Sequence, residues 1–176
     1  MRHVLIMFVG VMVLALAGSA NAAVMQGDTE LDLMGGWGSF NSANNGDLDL
    51  LILSASVGYF LTDNIQVSGS LLGAWLEVED TDTSVLGVGG KAKYHFMPEN
   101  QYVPYVGVQV YYSTIDEEDL GDDSGIYWGP VVGVRCELNE YNDFYAEYQY
   151  QMYEGDIGDV LDDANMILFG IIHQFK

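Results

Sequence analysis

Cysteine is almost absent from this chain: Cys136 is the only one in 176 residues. A single thiol excludes an intrachain disulfide and a cysteine-built metal site. Basic residues are also scarce, five Lys and Arg against 26 Asp and Glu. Phosphate backbones are gripped by basic surfaces, so nucleic acid is excluded as a partner. After the first 22 residues there is no apolar run near the ~20 residues that a membrane-spanning helix needs. If the mature chain lies in a membrane, it must cross as a closed barrel, whose backbone groups pair between strands.

The first 22 residues read as a leader. Arg2 and His3 give a positive start, Val4 to Leu16 is apolar, and Ala20-Asn21-Ala22 is a small-x-small cleavage site. That order describes a cleaved secretory signal peptide over 1–22, leaving 23–176 as one mature domain. The mature chain keeps four basic residues, Lys91, Lys93, Arg135 and Lys176, against all 26 acidic ones, a net charge of −22.

What the chain does have is alternation. In Tyr102–Ser113, one face carries Tyr102, Pro104, Val106, Val108, Val110 and Tyr112; the other carries Val103, Tyr105, Gly107, Gln109, Tyr111 and Ser113. A period of two means a strand, since successive side chains leave a pleated backbone on opposite sides. An apolar face capped at both ends by aromatics is the lipid face of a transmembrane barrel strand. Eight such segments are expected: 29–40, 48–60, 65–77, 84–96, 101–114, 126–138, 144–153 and 164–175. Strands two and eight alternate poorly. Short connections are expected after strands two, four and six and longer polar loops after the others, the asymmetry of periplasmic turns and outer loops. The fold class is therefore all-β, an eight-stranded antiparallel up-and-down transmembrane barrel. A soluble eight-stranded barrel would turn the apolar face inward and leave Lys91, Lys93 and Arg135 outside.

Aromatic residues support the outward assignment. Trp37, Trp75 and Trp128 fall on the apolar face near the long loops, whereas Tyr94, Phe96 and Tyr102 fall near the short turns. Two such girdles suit the two membrane interfaces. With that face outward, Lys91, Lys93 and Arg135 point into the lumen, together with Glu30, Asp32, Glu137 and Glu147. An eight-stranded bore is just wide enough for side chains to fill it. Charges held there must pair, and Glu137 and Glu147 are the expected partners of Arg135. The expected outer loops hold fifteen acidic residues and no Lys or Arg. Asp116, Glu117, Glu118, Asp119, Asp122 and Asp123 form the densest group. Their spacing does not match a calcium-binding loop, so they read as diffuse divalent-cation contacts with no defined metal site. No cofactor is expected.

The last strand ends MILFGIIHQFK. Gly170, His173 and Phe175 resemble the C-terminal signal by which bacterial outer-membrane barrels are recognised for insertion, with His in place of a usual Tyr and Lys176 after the final Phe. Val57–Gly69 and Pro104–Val110 resemble the second-to-third-strand unit and a strand of the small outer-membrane β-barrel family, the OmpA/OmpX/OmpW-like proteins. The resemblance spans the mature chain and implies a Gram-negative outer-membrane location. Its implied partners are outer-membrane lipid, lipopolysaccharide, and the chaperones and insertion machinery of biogenesis, with the folded protein a monomer. Family likeness implies little about activity. The expected role is structural or surface-interacting, with a porin-like small-solute or ion channel second and a lipid-modifying enzyme third. Of the histidines, His95 and His173 both sit at periplasmic strand ends, far from any outer-rim nucleophile.

Overall fold

Every element of the computed structural model is a β-strand, and it describes residues 24–42, 46–78, 81–117, 121–155 and 163–175. The leader expected over 1–22 lies outside the described residues. The strands are β1 (Thr29–Ser42), β2 (Gly46–Phe60), β3 (Ile65–Val78), β4 (Thr81–His95), β5 (Tyr102–Glu117), β6 (Gly121–Asn139), β7 (Asn142–Gly155) and β8 (Asp163–Phe175). Each pairs antiparallel with its sequence neighbour, and β8 returns to β1 to close the barrel.

The registers fix the shape. From Leu31, the paired residues run Val57, Gly69, Gly90, Val110, Trp128, Met152 and Asp163 around the wall. Across the seam, however, Leu31 pairs with His173, ten residues beyond Asp163. That stagger obliges the strands to lean about 35–45° from the barrel axis.

Period two decides which side chains meet lipid. On β5, Val106, Val108, Val110 and Tyr112 are exposed, whereas Val103, Tyr105, Gln109, Tyr111 and Ser113 are buried. On β4, Leu86, Val88, Tyr94 and Phe96 face out, and Lys91, Lys93 and His95 face in. Trp75 and Trp128 stand on the outer face at the outer end, and Trp128 Nε1 donates to Glu154 Oε1 at 3.0 Å. Trp37 lies on β1, with its side chain outside the described set.

Two expectations are corrected. The connection expected over Ile115–Gly125 is not a long polar loop: β5 continues to Glu117 and β6 restarts at Gly121, so Asp116 pairs with Asp122 and Ile115 with Asp123 as ladder residues. Polar sequence does not end a strand beyond the membrane, because backbone pairing is indifferent to side chains that stand in water. Glu118 and Asp119 lie outside the described residues. The lumen, moreover, is filled but not polar throughout. Ile52, Leu72, Tyr111 and Tyr127 pack in its outer half, and Met34, Tyr105, Tyr145, Leu168 and Ile172 form a second apolar cluster. This explains the weak alternation of strands two and eight, whose inward positions include Ile52, Phe60, Leu168 and Ile172.

Candidate functional site

Alternation aims one charged set at one volume. β1 supplies Glu30 and Asp32, β4 supplies Lys91 and Lys93, β6 supplies Arg135, and β7 supplies Asp143 and Glu147; all seven are buried. Lys91 Nζ lies 2.6 Å from Glu147 Oε1, and Lys93 Nζ lies 3.3 Å from Glu147 Oε2 and 3.9 Å from Asp32 Oδ2. Arg135 Nη2 reaches Glu30 Oε2 at 3.2 Å, while its Nε donates to Asp143 Oδ2 at 2.8 Å and its Nη2 bonds the same oxygen. The ion pairs of β4 with β7 and β1, and of β6 with β1, thus cross the bore, while that of Arg135 with Asp143 joins neighbouring strands.

Neutral groups complete the network. Tyr105 OH donates to Glu147 Oε2 at 2.9 Å, and Tyr145 OH donates to Asp32 Oδ1 at 2.5 Å. Gln66 donates to Glu30, and Gln174 Nε2 to Asp143 Oδ2 at 3.1 Å. Lys93 also sits 4.8 Å from the Tyr105 ring centroid. Charges removed from water are tolerated only when paired and hydrogen-bonded; each charge here is paired, while Arg135 Nη1 and Asp143 Oδ1 are left without a hydrogen-bond partner.

The inward side of β7 continues the polar series outward. Tyr153 OH donates to Gln151 Oε1 at 2.6 Å, Gln151 Nε2 to Gln149 Oε1 at 2.8 Å, and Gln149 Nε2 to Glu147 Oε1 at 2.7 Å. With Tyr145 and Asp143 below, six alternate residues of one strand form a polar ladder along the bore. Around it the remaining volume is packed. Tyr111 stacks on Tyr127 with centroids 4.8 Å apart, and His95 lies between Phe60 and Tyr105 at 5.2 and 5.3 Å.

Six of the seven residues expected in the lumen network are brought together. Glu137 is half-buried beside a β-bulge at Glu137/Asn139, which shifts its register. The ion pairs of Arg135 go to Glu30 and Asp143, and Glu147 serves the two lysines instead. Asp143 falls in the short connection expected between 138 and 144, whereas in the structure it lies on β7 and faces inward. Extending the inward alternation of Tyr145 and Glu147 by one step would have found it. At the end of β8, Gly170 faces inward beneath the Tyr145 ring, whereas His173 and Phe175 face out and pack edge-on at 5.0 Å. His173 Nδ1 lies 2.9 Å from Asn142 Oδ1.

A family model described as outer membrane protein beta-barrel domain matches residues 10–175. The chain belongs to the outer-membrane β-barrel family. It accordingly resides in the outer membrane of a Gram-negative bacterium. Among solved structures it is similar to Neisserial surface protein A (TM-score 0.62, 17% identity, 84% of this chain and 96% of that one). It is also similar to the N-terminal barrel domain of Pseudomonas aeruginosa OprF (TM-score 0.56, 21% identity, 86% and 99%). These identities carry the fold alone. No curated protein matches the chain in sequence.

Proposed function

We propose that this family member is a non-catalytic barrel with a structural or surface-interacting role, its bore shut by the buried ion-pair network. The observation that carries this reading is that Lys91, Lys93 and Arg135 each bind carboxylates on other strands while almost wholly excluded from solvent. Cross-bore pairs of this kind act as ties between opposite walls.

A small-ion channel is the second reading. It is favoured by the β7 ladder, which lines the bore with polar atoms from Asp143 to Tyr153. Planar-bilayer recording of the refolded protein separates the two. A sealed barrel gives no steady conductance above the bare bilayer, and a stable single-channel level in the unmodified protein would reject the sealed reading.

A further inference from the structure

The β1–β8 seam is zipped only over its inner half. Its pairs run from Thr29↔Phe175 to Gly35↔Phe169 and then stop. Both strands nevertheless continue, β1 to Ser42 against β2 and β8 back to Asp163 against β7. Continued, the register would bring Gly36 opposite Leu168 and Asn41 opposite Asp163; neither pair is formed. Two free backbone edges therefore face each other in the outer part of the wall. In hydrocarbon an unpaired peptide group is severely penalised, which is why barrels close.

The lipid-facing side chains beside this gap are unusual as well. Spreading the ten-residue stagger evenly over eight strands sets Ile167 of β8 level with Val88 of β4, and Asn165 level with Leu86. On β4 those levels are apolar and bare, with Leu86 68% and Val88 55% exposed. On β8 Ile167 is equally bare, but at the Leu86 level Tyr148 OH bonds Asn165, and one step further out Tyr150 OH donates to Asp163 Oδ2 at 3.2 Å. The unpaired backbone edges begin just outward of Phe169, and the Tyr148–Asn165 pair stands at the level where the far side presents bare Leu86; both call for hydrogen-bonding surroundings there.

We propose that the outer half of the β1–β8 seam is a hydrated notch, drawing outer-leaflet head groups and their water down towards the level of Phe169 and thinning the bilayer on that side. An acyl chain could fill the gap but would satisfy no peptide group. A second copy would bring another strongly acidic chain against Asp163.

The test uses the full barrel in lipid vesicles, with Cys136→Ala and a single nitroxide at Ile167→Cys or Val88→Cys. The Ile167 position should be several-fold more accessible to a water-soluble nickel chelate than Val88, although both face outward. Equal accessibility overturns the notch. Amide exchange on the unlabelled protein gives a second reading that does not depend on the substitutions. The seam-facing amides of Gly36 to Ser39, every second residue, should exchange far faster than the seam-facing amides of Leu31 to Gly35, while those turned to β2 stay protected in both stretches. Slow exchange at every protein-to-lipid ratio means that the seam zips, and slow exchange only at high ratios means that a second copy seats on it; either result overturns the proposal.

Discussion

Removing the Arg135 guanidinium would strand Glu30 and Asp143 as buried carboxylates without their cation. Arg135→Met should therefore cost about 3–5 kcal/mol, read as a lower urea midpoint for unfolding from lipid vesicles. Stability unchanged from the parent would show that water already screens the pair. A steric device can be tested at the same scale. Tyr105 lies over Gly133, and Tyr145 over Gly170, each glycine being the register partner on the next strand. A side chain on Gly170 would start inside the Tyr145 ring and close to Leu33 O. Gly170→Val should cost about 1–3 kcal/mol by overpacking. Combining it with Tyr145→Ala should recover part of that loss in a double-mutant cycle, because the clash is with that ring.

At the scale of the strand, Val108 and Gln109 are neighbours with opposite fates. Val108 is 61% exposed to lipid, and Gln109 is buried with its Nε2 3.2 Å from Gln149 Oε1. Val108→Arg should destabilise by about 2–4 kcal/mol if it lies near the bilayer midplane. Gln109→Ala should lose only about 1 kcal/mol, the net worth of one hydrogen bond. The same unfolding assay ranks the two, and equal losses would mean that the faces are misassigned. The strands themselves were legible because alternation, aromatic ends and turn residues agreed in β4, β5 and β6. Strand ends were not, since nothing in Ile115–Gly125 marks where membrane stops and water begins. Asp143 was missed for a related reason: a carboxylate at a strand's end reads as turn chemistry until its partner on another strand is known. Glu30, the cross-bore partner of Arg135, is 105 residues away in sequence, and alternation gives a face without saying which opposing residue lies at the same height.

For the whole molecule, charge is the dominant fact. The chain carries a net −21, its acidic residues concentrated in the expected outer regions, and the lipopolysaccharide expected beside it has phosphates that are also negative. Repulsion over a Debye length of about 8 Å is relieved most directly by Ca²⁺ or Mg²⁺, which favour oxygen ligands. Calorimetric titration should show weak, multi-site Ca²⁺ uptake, reduced when Asp116, Glu117, Glu118, Asp119, Asp122 and Asp123 are changed to Asn or Gln. Saturable micromolar binding of one ion per chain would refute the diffuse picture.

The length of β6 has a mechanical consequence. Its nineteen residues, at about 3.3 Å each and leaning about 40°, give the wall a height of roughly 45–50 Å, against an apolar band of about 25 Å. About half of that wall projects clear of the bilayer. A sheet held by backbone pairing on both strands bends little, so the acidic hairpin β5–β6 is a mast and not a tether. Whatever meets this protein at the cell surface meets the acidic strand ends of this hairpin standing out from the bilayer. An approaching cationic partner is engaged at that stand-off before it reaches the membrane, and shortening the mast by paired deletions from both strands would lower the point of engagement without removing the barrel that carries it.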